Sequence, residues 1–242
     1  MSLSVAIVGA NGRMGQLAAR LIDEADDLTL HAAVGSADPL ALVDGADVVL
    51  DLTLPQVSQQ VVEHAIARGI DVVTGTSGWS SERIAGLRRL VASHPTVGVL
   101  VIPNFSVGSV LATSFAAQAA RYFDSIEIVE AHHAGKVDSP SGTAVRTAEL
   151  IGEARGSLGP VIAPHVDQRA RGQQVASVPI HSLRMQGISA KQDVLFGGTG
   201  ELLTISHETL SSSSYEAGIL LALRSAPSAE GVVVGLDALL DL

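Results

Sequence analysis

The stretch Val5-Ala6-Ile7-Val8-Gly9-Ala10-Asn11-Gly12-Arg13-Met14-Gly15 decides the fold. Its first four residues predict a buried strand, and the apolar spacing over residues 13–24 predicts a helix. The three glycines between them have the spacing GxxGxxG, a variant of the dinucleotide-binding turn. Glycines without a Cβ let a pyrophosphate approach the free N–H groups at the start of a helix. The pattern therefore favours a nucleotide site over a plain tight turn.

Strands and helices alternate beyond this turn. Further strands are predicted at residues 28–34, 48–52, 72–74 and 97–101, with helices at 56–68 and 82–93. This alternation is typical of a doubly wound parallel sheet. Two loops, Gly75-Thr76-Ser77-Gly78 and Pro103-Asn104-Phe105-Ser106, follow strands on the same side of that sheet. Ligands bind outside the carboxyl ends of parallel strands, so we expect both loops to line the nicotinamide end of the site.

The pattern changes after Pro103. A polar loop is predicted at residues 156–174, and β-like runs follow at 175–183, 192–196 and 201–208. The break Gly197-Gly198-Thr199-Gly200 predicts a hairpin. We therefore predict a Rossmann-type dinucleotide-binding domain of residues 1–104 and 213–242, with an α+β substrate domain inserted at residues 105–212. A predicted helix at 215–224 and an apolar tail at 232–242 should pack on the first domain.

The composition narrows the possible partners and location. The chain has 242 residues, a formal net charge of −10 and no cysteine. The negative charge argues against nucleic acid, because phosphate backbones select basic surfaces. The lack of cysteine excludes disulfides and thiolate chemistry. We expect no membrane partner, since no apolar run approaches about 20 residues, and we expect a cytoplasmic protein, since residues 1–9 do not resemble a signal peptide.

The segment EAHHAGKVDSPSGTA, from Glu130 to Ala144, concentrates the candidate chemistry. Lys136, one of only two lysines in the chain, can supply positive charge and a proton. Ser141-Gly142-Thr143 begins a predicted helix, whose free N–H groups and dipole favour a carboxylate. His132 and His133 follow one another at a strand end, so their side chains should point in different directions.

Other interpretations of this segment are weaker. Paired histidines can bind a metal, but no third ligand lies at a suitable spacing, so we predict no metal site. Ser141 can be an N-cap alone, a role that is compatible with ligand binding. A serine hydrolase is disfavoured because the chain has no nucleophile-elbow motif.

The segment resembles the signature of the dihydrodipicolinate reductase family, E-x-H-H-x-x-K-x-D-x-P-S-G-T-A, at every named position. The glycine turn, the GTSG loop, the PNFSVG loop and the LFGGTGE hairpin also resemble that family in the same order, so the resemblance covers essentially the whole chain. It implies an NADH- or NADPH-dependent reduction of 4-hydroxy-tetrahydrodipicolinate to tetrahydrodipicolinate with loss of water, in lysine and diaminopimelate biosynthesis. It also implies that the inserted domain binds this small dicarboxylate and builds a homotetramer through its sheet.

The resemblance also assigns roles to individual residues. His132 resembles the family's proton donor/acceptor and Lys136 its proton donor. His133, Gly142 and Thr143 resemble its contacts to the substrate carboxylates. Its cofactor contacts are matched by Gly9, Ala10, Asn11, Gly12, Arg13, Met14, Gly15, Gly75, Thr76, Ser77, Ile102, Pro103, Asn104 and Phe105.

One position departs from the family pattern. Many members carry an acid at or next to the position of Gly35, where it holds the adenosine ribose. Here Gly35 is followed by Ser36, and the nearest acid, Asp38, precedes a proline. We therefore hypothesise NADPH use or dual use, with Ser36 or Arg13 near the 2′-phosphate.

Two other functions are compatible with the glycine turn alone. One is a two-domain oxidoreductase for a different small acid, which does not require the HHxxK and PSGT elements together. The other is a catalytically silent nucleotide sensor, which nothing in the sequence favours because every proposed catalytic residue is present.

Overall fold

A computed structural model describes residues 2–240, and the chain divides into two compact units. The first unit comprises Met1–Val107 and Tyr215–Leu242, and the second comprises Gly108–Ser214. The predicted helix at 215–224 and the predicted tail at 232–242 both fall in the first unit. The nucleotide and substrate roles predicted for the two units remain predictions.

The first unit is built on a six-stranded parallel sheet. Its strands are β1 (Leu3–Val8), β2 (Leu28–Val34), β3 (Val48–Asp51), β4 (Asp71–Thr74), β5 (Val99–Val101) and β11 (Val232–Val234), in the order β11-β5-β4-β3-β1-β2. Its helices are α1 (Arg13–Glu24), α2 (Pro55–Ala67), α3 (Ser81–Val91) and α6 (Glu216–Ser225). The predicted Rossmann-type sheet is confirmed.

Burial explains why these strands have apolar runs rather than alternating patterns. All four residues of β3 are fully buried, including Asp51. Successive side chains of a strand point to opposite faces, so both faces of the sheet must be covered. Strand β1 lies between β3 and β2, which places the glycine turn where the strand order reverses. Ligands bind outside the strand ends at such a reversal.

The second unit is built on a five-stranded mixed sheet. Its strands are β6 (Ser125–His133), β7 (Gln173–Val175), β8 (Val178–Met185), β9 (Ala190–Gly198) and β10 (Glu201–Thr209), in the order β10-β9-β6-β8-β7. Strands β6 and β8 run parallel, and the other neighbours are antiparallel. Helix α5 (Gly142–Arg155) and the end of helix α4 (Val107–Ala119) cover one face with a core that contains Ile126, Ile128, Ile151 and Phe196. The predicted α+β class is confirmed.

One predicted element is wrong, and one strand was not predicted. The run at 175–183 is not one strand, because Ala176 and Ser177 turn the chain between β7 and β8. Their φ angles are 46° and 68°, as in a two-residue hairpin turn that normally carries asparagine or glycine. The apolar tail also contains a strand, since residues 232–234 pair with β5. Residues 241–242 of that predicted tail lie outside the described residues.

Arg155 holds the end of α5 to the surrounding loops. Its side chain is 3% exposed, and it donates hydrogen bonds to the carbonyl oxygens of Ala120 and Gly159, both at 3.0 Å. It also donates to the carbonyl of Phe123 and to the carboxylate of Asp124. Because a buried carbonyl that loses its donor is costly, this one side chain stabilises several loop segments together.

We expect Arg155→Met to lower the free energy of unfolding by about 3 kcal/mol, because the buried carbonyl of Ala120 and the half-buried carbonyls of Phe123 and Gly159 lose a charged donor. Arg146→Met is the matched control on the same helix, since the Arg146 side chain is 57% exposed. Exposed ion pairs contribute little, so the control should change stability by less than about 1 kcal/mol. Thermal unfolding measures both variants, and equal melting temperatures would contradict the role given to Arg155.

Candidate functional site

The glycine turn in the first unit has no room for side chains on its inner surface. A Cβ added to Gly9 would lie 2.5 Å from the carbonyl oxygen of Leu52, and one added to Gly15 would lie 2.3 Å from that of Gly9. Gly9 also has a φ of +89°, which L-residues rarely adopt. The N-cap of α1, Gly12, makes no side-chain capping bond. The first N–H groups of α1 thus lack a side-chain acceptor at the N-cap, and this geometry fits a dinucleotide pyrophosphate.

The other two predicted cofactor loops lie at neighbouring strand ends of the same sheet. Gly75 follows β4, and its N–H donates to the carbonyl of Asp51. A Cβ on Gly75 would lie 2.4 Å from the Phe105 ring, so the loops after β4 and β5 are in contact. Thr76, Ile102 and Phe105 are buried, whereas Ser77 and Pro103 are exposed. The structure therefore brings the three predicted cofactor segments to the carboxyl edge of one sheet.

An acid does reach the end of β2, although Gly35 carries none. The N–H of Gly35 donates to Oδ2 of Asp38 at 2.8 Å, so the Asp38 side chain folds back over the turn. A Cβ on Gly35 would lie 2.4 Å from the Asn11 amide nitrogen. Asp38 therefore lies where a Rossmann fold presents its ribose-binding acid, three residues later in the chain than usual.

A buried polar cluster behind these loops was not predicted. The fully buried carboxylate of Asp51 accepts hydrogen bonds from the hydroxyls of Ser58, Thr53 and Thr74, the last two at 2.6 and 2.7 Å. The indole nitrogen of Trp79 donates to Ser58. This cluster fixes the ends of β3 and β4, and the cofactor loop at Gly75 begins from β4.

In the second unit, His132 and His133 end strand β6 on opposite faces. His132 lies on the face that carries Ile126, Ile128 and Glu130, and its side chain is only 16% exposed. His133 is exposed. Its ring lies 3.4 Å from the position of a Cβ on Gly135, so it turns back over the following loop.

Glu130 is a fully buried carboxylate at the centre of this site. Its Oε2 accepts from Nδ1 of His132 at 2.6 Å and from Arg184 at 2.9 Å. Its Oε1 accepts from Arg184 at 2.9 Å and from the Ser141 N–H at 3.2 Å. Burial alone would raise the pKa of Glu130, but hydrogen bonds from Arg184, Ser182 and His132 outweigh burial and hold its pKa below the ordinary value. Arg184 was missed from the sequence because it lies 54 residues away on β8.

Burial and neighbouring cations control the charge of His132. Burial lowers the pKa of its imidazole, and the positive charges of Lys136 and Arg184 lower it further against the opposing effect of Glu130. His132 is therefore neutral at pH 7. The ammonium of Lys136 donates to Asp138 at 2.7 Å, and this hydrogen bond lowers the pKa of the Asp138 carboxyl.

Helix α5 begins with an accessible turn beside these groups. Ser141 is its N-cap and accepts from the N–H of Ala144 at 3.2 Å. Gly142 follows, and no atom of other residues lies within 4 Å of the position that its Cβ would take. Gly142 and Thr143 thus combine free helix-start N–H groups with open space. Glu130 links His132 to the start of α5, and Lys136 is close enough to His132 to lower the pKa of its imidazole. The structure therefore brings His132, Lys136, Gly142 and Thr143 together.

The described residues contain neither a metal-binding cluster nor a membrane-spanning helix. Across residues 2–240, no three His, Asp or Glu side chains are grouped so that they could hold a metal ion. No helix in that part of the chain is long and apolar enough to cross a membrane.

Both units match models of one family. The model described as dihydrodipicolinate reductase, N-terminus, matches residues 3–105, and the model for the C-terminus matches residues 108–240. The 4-hydroxy-tetrahydrodipicolinate reductase of Clavibacter sepedonicus is 64% identical over 242 residues, which cover all of this chain and 87% of that protein. The enzyme of that name from Streptomyces griseus is 47% identical and covers 99% of this chain and 98% of its own.

Solved structures agree with these matches. The dipicolinate-bound dihydrodipicolinate reductase from Paenisporosarcina sp. TG-14 has a TM-score of 0.84 and 31% identity, over 98% of this chain and 99% of that one. The apo scyllo-inositol dehydrogenase from Lactobacillus casei, with a TM-score of 0.63 and 14% identity over 99% and 92% of the two chains, shares the fold alone. From the two family models and the identity over its full length, the chain belongs to the dihydrodipicolinate reductase family.

Proposed function

We propose that this protein reduces 4-hydroxy-tetrahydrodipicolinate to tetrahydrodipicolinate with NADH or NADPH and with loss of water, in lysine and diaminopimelate biosynthesis. The observation that carries the proposal is the site in the second unit. There a neutral imidazole, an ammonium group and an open helix start lie on one connected stretch, residues 132–143. Full-length relatives that carry this enzyme name support the same reaction.

The substrate is a small ring with two carboxylates, and the second unit offers donors for them. The N–H groups of Gly142 and Thr143 begin α5, where the helix dipole favours an anion. His133 lies exposed on the adjacent strand end and can donate a further hydrogen bond. A related solved structure was determined with dipicolinate bound, which is also a ring with two carboxylates. We assign substrate binding to His133, Gly142 and Thr143.

Catalysis requires charge stabilisation and proton delivery in this unit. Loss of the ring hydroxyl together with a ring proton, as water, would convert the substrate to a conjugated imine, and a bound reduced nicotinamide would supply a hydride to that imine. Hydride addition to a conjugated imine leaves negative charge on the ring, and a nearby cation lowers the energy of that state. Lys136 can supply this charge and then a proton, once its hydrogen bond to Asp138 opens. Neutral His132 can accept and return a proton.

The cofactor would be held by the first unit. The N–H groups of the turn from Gly9 to Gly15 would hold the pyrophosphate, and the loops at Gly75–Ser77 and Ile102–Phe105 would border the nicotinamide. We propose dual use of the two cofactors. Asp38 keeps one carboxylate oxygen for a ribose hydroxyl of NADH, and the exposed side chain of Arg13 can approach the 2′-phosphate of NADPH.

We also propose that the enzyme is a cytoplasmic homotetramer assembled through the sheet of the second unit. The face of this sheet that points away from α5 carries Leu183, Met185 and Leu202, which are 46%, 48% and 67% exposed. Exposed apolar side chains on one sheet face are typical of an interface between subunits.

Lys136→Ala should lower kcat by about 10²-fold or more, because the variant loses a general acid and a cation. Lys191→Ala is the matched control, since Lys191 is the only other lysine and pairs with Asp193. A coupled assay with freshly generated substrate, followed by the absorbance of the reduced cofactor, measures both variants. No reduction by the wild-type protein would refute the proposed function, and full activity of Lys136→Ala would refute the role of Lys136.

Gly142→Ala should raise the KM for the dicarboxylate about tenfold without loss of thermal stability. The added Cβ meets no atom of the protein but enters the space beside the helix-start N–H groups. Gly86→Ala in α3 is the control, because its Cβ would lie 3.8 Å from the flexible side chain of Arg89 and would clash with nothing. An unchanged KM in Gly142→Ala would place the substrate carboxylate elsewhere.

The values of kcat/KM for NADH and NADPH should agree within about tenfold if Asp38 and Arg13 favour one cofactor each. Asp38→Asn should lower kcat/KM for NADH about fivefold, because a charged acceptor is replaced by a neutral one, and should not lower that for NADPH. Asp26→Asn, at another exposed acid of the unit, should change neither. A strong NADH preference that survives Asp38→Asn would contradict the assignment.

A further inference from the structure

Glu130 and Arg184 form a buried ion pair to which no role in the proposed reaction has been assigned so far. We propose that both are positioning residues: Glu130 fixes the imidazole of His132 in its Nδ1–H form and aligns the start of α5 with it, and Arg184 fixes Glu130. This inference rests on the proposed function, because it concerns the residue assigned there to proton transfer. Neither side chain needs to touch the substrate.

The hydrogen bonds of Glu130 determine which nitrogen of His132 carries the proton. An ionised carboxylate only accepts hydrogen bonds, so Nδ1 of His132, at 2.6 Å, must be the donor. The neutral ring then has its lone pair on Nε2. Nε2 is therefore available to accept a proton from a substrate or water, which is the form that a proton acceptor requires.

Arg184 keeps Glu130 ionised and prevents it from rotating. Two of its nitrogens donate to the two oxygens of Glu130, both at 2.9 Å, in the parallel geometry that an arginine fork favours. A lysine presents a single point of charge and cannot reproduce this geometry. Without the guanidinium, a fully buried carboxylate would be strongly disfavoured.

The same two side chains also set the position of the proposed substrate donors. Oε1 of Glu130 accepts from the N–H of Ser141, the N-cap of α5. Arg184 donates at 2.6 Å to the carbonyl of Asp138, whose carboxylate holds Lys136. The imidazole, the ammonium and the start of α5 are therefore connected through one carboxylate and one guanidinium.

A second cluster in the same unit provides a matched comparison. Glu127, on the opposite face of β6, also accepts hydrogen bonds from an arginine, Arg171, and from a histidine, His181. A loss of stability is expected when either carboxylate is changed. Only Glu130 has His132 as its partner, so only its removal should change the protonation of that ring.

The first experiment compares Glu130→Gln with Glu127→Gln by kinetics and by NMR of ¹⁵N-labelled histidines. A glutamine amide cannot accept at both of its ends, so in Glu130→Gln some of the donors to this side chain lose their acceptor. We expect kcat to fall about 10²-fold. In the NMR spectrum, the neutral ring of His132 should no longer be entirely in the form that carries its proton on Nδ1. Glu127→Gln should retain both the rate and the signature of His132.

The dependence of kcat/KM on pH in the acid range gives a second, independent measure of the effect of Glu130 on His132. Groups facing His132 from the packed elements are Glu130 on its own strand, Arg184 on β8 and Lys136 in the following loop. The carboxylate raises the pKa of His132 and the two cations lower it. Glu130→Gln should therefore move the pKa of His132 to lower pH, as seen in kcat/KM and in the histidine NMR titration. Glu127→Gln should not move it.

Arg184→Lys tests the proposal if Glu130→Gln does not fold. This variant keeps a positive charge but loses the fork, so we expect a smaller fall in kcat, about tenfold. The matched control is Arg171→Lys, at the half-buried arginine that pairs with Glu127, and it should change kcat little. Retention of the Nδ1–H form and of the pH profile in both Glu130→Gln and Arg184→Lys would overturn the proposal, even if both variants were less stable. The NMR readout needs no turnover, so it distinguishes this failure from a failure of the proposed function.

Discussion

The proposed site depends on a single constraint, the burial of a negative charge at Glu130. A carboxylate without water must receive hydrogen bonds and a counter-charge. Here those donors are an imidazole, a guanidinium, the Ser182 hydroxyl and the N–H of a helix N-cap. Burying such a group is a weak source of stability, because an apolar side chain of similar volume would avoid the desolvation cost. The buried charge is better explained by its effect on its neighbours, because the carboxylate of Glu130 holds each of its hydrogen-bond donors in a fixed orientation.

The sequence predicted the fold well wherever local pattern and tertiary packing agree. Helix α1 begins and ends at the predicted residues, 13 and 24, because one apolar stripe and a glycine turn define it. The predictions failed where tertiary context decides the backbone. Ala176 and Ser177 adopt left-handed angles without the usual asparagine or glycine. The hydroxyl of Ser177 accepts from the N–H of Val161, a tertiary contact that stabilises this turn.

The site was predictable only in the part that is contiguous in sequence. His132, Lys136 and the start of α5 lie within one short segment, so motif and helix capping identify them together. Arg184 is opposite His132 in the parallel register of β6 and β8, a pairing that no local pattern encodes. Asp51 likewise receives donors from three different elements or loops. Partners that are set by strand register require the structure, whereas residues set by helix and turn chemistry do not.

The net charge of the site does not explain the proposed selection of a dianion by an acidic protein. Glu130 and Asp138 are negative, and Arg184 and Lys136 are positive, so the formal charges of these four groups cancel. A dicarboxylate gains no net attraction from them as a set. We expect selection to come from the orientation of individual donors. The N–H groups of Gly142 and Thr143 point out of the helix start. Lys136 can exchange its hydrogen bond to the exposed Asp138 for one to the ligand. Because Arg184 is committed to Glu130, it cannot make the same exchange. In the proposed mechanism Arg184 is therefore the positioning cation and Lys136 the reacting one.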